Sequence, residues 1–150
     1  MVNIEIIDKI EDFNENIDRD QFIDFLYTHL GEFGDKKTAI NKAVDYAFSE
    51  AEGKGGFIVT AHDKDELVGG LVMNETGMSG YIPNNILVYV AVHKNHRGKG
   101  LGGKIIEQAI DNAEGNVALH VEYDNPAKRL YEKIGFNSKY AEMRYKKGES

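Results

Sequence analysis

Between Val92 and Ile106 every formal charge is positive, and four glycines, Gly98, Gly100, Gly102 and Gly103, are set among Arg97, Lys99 and Lys104. Residue types in this pattern make an anion site. Glycines let backbone approach a ligand closely, the first N–H groups of a helix lack intrahelical acceptors, and the helix dipole is positive at that end. The ligand read from these residues is a pyrophosphate of a nucleotide-containing cofactor.

Two elements must position the turn. Leu87 to Val92 is a β-branched and aromatic run that reads as a strand buried on both faces. From Leu101 onward, Leu101, Ile105, Ile106, Ala109, Ile110 and Ala113 form the stripe of an amphipathic helix, with Gly115 at its C-terminal end. Val117 to Val121 reads as the next strand, so the turn lies inside one parallel crossover.

The remaining elements follow from periodicity. Val2 to Ile7 is a short strand, and the polar stretch Asn14 to Asp20 supplies helix starts. Phe22, Ile23, Phe25, Leu26 and Leu30 recur at helical spacing up to Gly31, and Glu32 to Asp35 is a loop. A second helix is expected from about Lys36 to Glu52, ended by Gly53 to Gly56. Phe57–Ala61, Leu67–Asn74 and Leu87–Val92, joined by short turns, make an antiparallel meander. Gly69 and Gly70 within it mark a bulge or a close backbone approach. Asn125 followed by Pro126 starts a helix carrying Leu130, Tyr131 and Ile134, closed by Gly135 and Phe136. Alternation from Phe136 to Lys147 suggests one or two last strands.

Bulk properties narrow the function. At 150 residues the chain reads as a single domain, 1–150, with one core. It has no cysteine, which excludes a thiolate nucleophile, a disulfide framework and a Cys-based zinc site; no metal site is expected. No apolar run reaches membrane-spanning length and no signal segment opens the chain, so a cytoplasmic protein without membrane association is the natural reading. The net charge of −7 argues against a nucleic-acid-binding surface. Residues 1–52 carry thirteen acidic against five basic side chains, which either serves solubility or faces a cationic partner.

Two nucleotide readings compete for the glycine turn. Gly98-x-Gly100-x-x-Gly103 matches the dinucleotide fingerprint, with Glu122 near the ribose-contact spacing. That fold, however, needs a tight turn directly after the strand and two βαβαβ halves. Here His93 to Arg97 intervene, and one crossover follows an antiparallel meander. A P-loop needs Gly-Lys-Ser/Thr, which is absent.

Read with its flanks, the stretch resembles the GNAT superfamily of acyl-CoA-dependent N-acetyltransferases. Arg97-x-x-Gly100-x-Gly102 fits the family's pyrophosphate motif, directly after a strand ending at Val92. Downstream, Asn125-x-Ala127-x-x-Leu130-Tyr131-Glu132-Lys133-Ile134-Gly135-Phe136 is similar to its second motif. Residues 86–136 carry the match, and the first third agrees in element order. The resemblance implies an α+β, three-layer α/β/α fold. Its central sheet is mixed and mostly antiparallel, with one parallel, splayed strand pair. It also implies acetyl-CoA as the cofactor. Backbone of Val90, Ala91 and Val92 would pair with the pantetheine arm. Gly98, Lys99, Gly100, Leu101, Gly102 and Gly103 would hold the pyrophosphate, with charge from Arg97, Lys99 and Lys104. Asn125 would bond the arm, and Lys128 and Tyr131 would complete the cofactor contacts.

Acetyl transfer to an amine needs a neutral amine, a polarised thioester carbonyl and a proton for the leaving thiolate. Backbone N–H near Val90 suits the second need. Tyr131, by its family position, suits the third; otherwise it packs on the core with its hydroxyl at the rim. The base is open. Relatives often carry a glutamate where this chain has Val88, and the candidates are Glu122, His120, Tyr89, Glu32, Asp35 or a water chain. Glu122 reads equally as a solvated charge at a strand end. The acceptor side is expected to use Tyr27, Glu32, Phe33 and Tyr89, with His29 and Asp35 nearby, for a small-molecule amine, preferably a cationic one. A homodimer fits the family's habit. The same fold without catalysis, as an acyl-CoA sensor, is the alternative.

Overall fold

A computed structural model describes residues 1–148. The chain divides into two compact units, Met1–Leu119 and the segment from His120 onward.

The first unit is built on a five-stranded sheet in the order β1-β2-β3-β4-β5: β1 Val2–Ile7, β2 Gly56–Asp63, β3 Glu66–Glu75, β4 Asn85–Val92 and β5 Val117–Leu119. The first three pairings are antiparallel and the last is parallel. Helices α1 Ile10–Asn16, α2 Arg19–Leu30 and α3 Lys37–Ala47 precede β2, and α4 Leu101–Asn112 connects β4 to β5. This is the expected mixed α+β architecture.

Gly69 and Gly70 define the three layers. Successive strand residues point to opposite faces. A Cβ on Gly69 would lie 2.5 Å from Ile105 Cδ1 of α4, whereas one on Gly70 would lie 3.0 Å from Phe22 Cε1 of α2. Helices α2 and α4 therefore cover opposite faces, each pressed onto a glycine. We expect Gly69→Ala to cost about 1–3 kcal/mol through overpacking, read as a lowered urea midpoint with unchanged slope.

The core on the α2–α3 face gathers Phe13, Phe22, Leu26, Ile40, Val44, Ile58 and Val72. Phe13 meets Phe22 edge-on with centroids 5.6 Å apart and stacks on Phe48 at 5.2 Å. This aromatic group accounts for two departures from the periodic reading. Helix α1 has a polar sequence and, among its described side chains, one fully buried anchor, Phe13, too little for a stripe. Helix α3 stops at Ala47 instead of running to Glu52, because Phe48 turns in to stack on Phe13. Ser49 then bonds back to Tyr46 O, and its own hydroxyl accepts from Ala51 N–H, a local alternative to the helical ladder.

Other expectations shift at their ends. Asp18 caps α2, accepting from Asp20 N–H at 2.8 Å. Strand β4 is not buried along its whole length: Asn85, Leu87, Tyr89 and Ala91 are buried while the residues between them are partly exposed. Strand β5 ends at Leu119 rather than Val121.

In the second unit, α5 spans Ala127–Ile134. Pro126 already has helical dihedrals, and Asn125 Oδ1 accepts from Ala127 N–H at 2.9 Å, so Asn125 performs the capping expected of it. The strands expected over 136–147 do not form among the described residues. Alternation yields a strand only where a sheet edge accepts its hydrogen bonds, and Tyr140, Met143 and Tyr145 are at least 83% exposed.

Candidate active site

The site begins with an irregularity in β4. Along the β3–β4 ladder Val72 pairs with Tyr89 and Met73 with Leu87, which leaves Val88 as an extra residue: a β-bulge. On the other side, β5 pairs only with Asn85, Ile86 and Leu87. Beyond Leu87, β4 runs on for five residues with no parallel partner among the described residues.

The bulge decides which backbone groups face that gap. Asn85 N–H donates across to Asn116 O, so before the bulge the odd-numbered residues address the β5 side. After it, His93 N–H donates to Val68 O, on the β3 side. Backbone groups alternate sides along a strand, so Val90 and Val92 now point to the gap. Val92 O is taken by Arg97 Nε at 3.0 Å. The N–H and C=O of Val90 are left facing it.

The bulge also redirects side chains. Leu87 belongs to the α4 face, but Tyr89 and Ala91 join the α2–α3 core. Tyr89 thereby reaches the α2–α3 loop, where its hydroxyl donates to Asp35 Oδ2 at 2.6 Å. Burial, then this hydrogen bond and then the Asp35 charge, raise the Tyr89 pKa well above that of a free phenol, so Tyr89 is a donor and not a base.

After Val92 the chain makes one short 3₁₀ turn, Lys94–His96, and enters the glycine turn. Gly98 and Gly100 both have left-handed dihedrals, φ 78° and 82°, and a Cβ on either would meet open space. Their conformation, not crowding by the chain, calls for glycine. Gly100 is the N-cap of α4, and the first helical bond runs from Lys104 N–H to Gly100 O. The N–H groups of Leu101, Gly102 and Gly103 therefore have no helical acceptor. Lys99 and Lys104 are exposed beside them. This arrangement can hold an anion.

Arg97 does something the spacing did not reveal. Besides Val92 O, its Nη2 donates to His29 O at 2.7 Å, fastening the end of α2 to the end of β4. The His29 ring lies 4.3 Å from that of His93. Desolvation first, then His93, Arg97 and Lys94, lower the His29 pKa, which favours its neutral form. His29 meets His93 and Arg97 only in the fold, so no local pattern could join it to them. We expect Arg97→Ala to lose about 1–2 kcal/mol of stability with these two bonds. An additional phosphate role would weaken CoA binding more than binding of a CoA fragment without phosphates; calorimetry on both ligands reads the difference.

The acceptor-side residues are placed unevenly. Tyr89 and the Glu32–Asp35 loop meet through Asp35. Glu32 is exposed and Phe33 half-buried in the 3₁₀ turn Gly31–Phe33. Tyr27 is half-exposed and carries Lys37 Nζ 5.2 Å over its ring, while Lys37 pairs with Asp24 at 2.8 Å.

Glu122, Asn125, Lys128 and Tyr131 belong to the second unit. Asn125 and Lys128 line an open depression of about 440 Å³ with Tyr123, Arg129 and Glu132. Lys128 Nζ pairs with Glu132 at 3.3 Å. Glu122 and His120 are exposed. Tyr131 is buried, its ring edge-on to Phe136 at 5.9 Å, and burial pushes its pKa up to about 12.

Comparison with known proteins agrees with this geometry. Solved structures align along nearly the whole chain. A transcriptional regulator from Bacillus halodurans C-125 is 19% identical, with 97% of this chain and 99% of that one covered and a TM-score of 0.67. A ribosomal-protein-alanine N-acetyltransferase from Brucella melitensis biovar Abortus 2308 is 18% identical, with 97% and 99% covered and a TM-score of 0.65. An aminoglycoside N-acetyltransferase in complex with CoA is 12% identical, with 98% and 95% covered and a TM-score of 0.68. At these identities the likeness carries the fold alone. Among curated proteins none matches. The model of the acetyltransferase (GNAT) domain matches residues 53–138, more than half of the chain and including the bulged strand, the glycine turn and α5. The chain thus belongs to the GNAT acetyltransferase family.

Proposed function

We propose that this protein is an acetyl-CoA-dependent N-acetyltransferase that acylates a primary amine by direct attack on the thioester. The observation that carries the reading is the Val88 bulge with the end of β5 pairing at Leu87, which turns the free N–H and C=O of Val90 toward the gap. An extended pantetheine arm pairs with such an edge as an added strand does. The cradle of Gly98 to Gly103 fits a pyrophosphate, and Lys99 and Lys104 supply charge.

Bound acetyl-CoA supplies the activated acyl group. Val90 N–H polarises its carbonyl as a fixed donor. Tyr131, protonated at any physiological pH, gives its proton to the departing sulfur. Asn125 and Lys128 are the residues that the family resemblance assigns to further cofactor contacts. No acid stands on β4, and Val88 itself is the bulged residue, so the amine proton leaves through solvent or through exposed Glu122. The same missing acid favours a second reading, an acyl-CoA sensor without turnover.

Thiol release from acetyl-CoA across a panel of amines separates the two. Release with at least one amine supports the transferase; tight CoA binding with no release from any supports the sensor. Thermal shift with CoA, NAD and FAD checks the donor, and stabilisation by NAD alone would sink the assignment. The chain is read as cytoplasmic, acting on a small-molecule amine; among the described residues no helix is long and apolar enough to cross a membrane.

A further inference from the structure

His93 joins the bulged strand to the glycine turn, and three of its groups hold the connection. Its N–H donates to Val68 O at 2.8 Å, at the end of the β3–β4 ladder. Its C=O accepts from His96 N–H at 2.8 Å, and its ring Nδ1 accepts from Asn95 N–H at 3.1 Å, capping the turn Lys94–His96. Arg97 then closes the segment on Val92 O at 3.0 Å, and Gly98 follows. The chain thus enters the glycine turn from a loop that one imidazole organises.

A ring nitrogen that accepts from a backbone N–H carries no proton of its own, so this cap is made by the neutral ring. In imidazolium both nitrogens are donors. A proton on Nδ1 sets two N–H groups against each other and opens the cap. The ring of His29, from α2, lies 4.3 Å from that of His93, and the ring of His96 lies 5.6 Å from it. Lys94 and Arg97 stand exposed on the same segment. Asp63 of β2 is 3.5 Å from His96 Nε2 and 3.5 Å from the N-terminal ammonium. Substitution at position 93 leaves all of these groups in place, so it isolates the proton on His93.

We propose that His93 is a positioning residue that sets the glycine turn only while its ring is neutral, so that CoA binding weakens as pH falls through the imidazole range. This inference rests on the reading of the turn as the CoA site and adds its control by a proton. Its sign is opposite to that of simple attraction, by which a new positive charge beside an anion tightens binding.

Asparagine caps strongly and does not titrate, so His93→Asn keeps the acceptor and removes the proton, whereas His93→Ala removes both. CoA affinity is read by calorimetry at about pH 8 and about pH 6, which span much of the range over which imidazoles change charge. Between the two, wild type is expected to lose about 3–10-fold more affinity than His93→Asn, the range for a lost cap. Ionisation of the ligand's own phosphates is common to both proteins and cancels in that comparison. At the higher pH His93→Asn should bind as wild type does, and His93→Ala about 3–10-fold more weakly. Without any ligand, the Asn95 N–H resonance should titrate together with the His93 ring protons and lose that titration in His93→Asn.

Equal pH dependence in wild type and His93→Asn overturns the proposal, as does binding that tightens in acid in wild type relative to the variant. Equal weakening by Asn and Ala overturns it too, since a ring that only packs against His29 is replaced by neither. An Asn95 signal that ignores the His93 proton has the same force. An Asn95 signal that follows His93, with no CoA bound by any of the three proteins, upholds the proton-sensitive cap and removes the reading of the turn as the CoA site.

Discussion

Gly100→Val is expected to weaken CoA binding by at least about 100-fold, equivalent to roughly 3 kcal/mol. Gly100 has φ 82°, and β-branched side chains are strongly disfavoured there. The valine would push the backbone toward negative φ and rotate the turn that aims the N–H groups of Leu101, Gly102 and Gly103. Nothing in the chain lies within 4 Å of a Cβ at this position, so the damage falls on the ligand face and not on the core. Gly80→Val is the matched control. Gly80 also has left-handed dihedrals, φ 74°, and equally open surroundings, but it lies in the β3–β4 loop. It should lose comparable stability to backbone strain and keep CoA affinity. Calorimetry with CoA and urea denaturation of both variants separate strain from lost recognition; wild-type affinity in Gly100→Val would refute the cradle.

The glycine turn could be read from the chain because its cause is local. Left-handed dihedrals, free helix N–H groups and a run of positive charge are all properties of neighbouring residues, and Arg97 to Gly103 contain them together. The meander and the Gly69–Gly70 contacts were legible for the same reason: alternation and two missing side chains are written in single strands. The bulge is not legible in the residues themselves, since nothing in Leu87-Val-Tyr-Val-Ala-Val92 marks Val88 as the extra residue. Its placement depends on register with β3, a pairing of residues far apart in sequence.

Register likewise explains what could not be read at the acceptor side. Tyr89 and Asp35 were separate candidates because they stand 54 positions apart in the sequence. The bulge alone puts Tyr89 on the α2–α3 face; an unbroken strand would send it with Leu87 toward α4. Arg97 was read for its charge, while its geometry spends Nε and Nη2 on two carbonyls. The tail over 136–147 failed in the opposite sense. Its alternation is genuine, but alternation records only which residues could share a face, and a ladder also requires an edge.

Tyr131→Phe should reduce kcat by about 10²–10⁴-fold, the range for loss of a general acid, while acetyl-CoA binds as before. The substitution removes one oxygen and keeps the ring that meets Phe136. A tyrosine that only packed would leave kcat within a small factor, so steady-state kinetics on the variant decides between the roles. The ionisation of Tyr131 supplies an independent check. Burial favours the neutral phenol and raises its pKa from 10.0 to about 12 in the folded protein. The acid form is therefore retained well beyond neutrality, which suits a proton donor. In the unfolded chain the phenol titrates near its ordinary value, so this group's contribution to stability is full below about pH 10. It is lost as pH rises through about 12, because the unfolded state gives up its proton first. Tyr89, shifted in the same direction, adds to the alkaline loss, so the comparison must be between wild type and variant. Tyr131→Phe should lose less stability than wild type between pH 10 and 12, and an ultraviolet phenolate titration should lack one late-titrating group. A Tyr131 phenol titrating near 10 in the folded protein would contradict its burial, and an unchanged kcat would remove it from the chemistry.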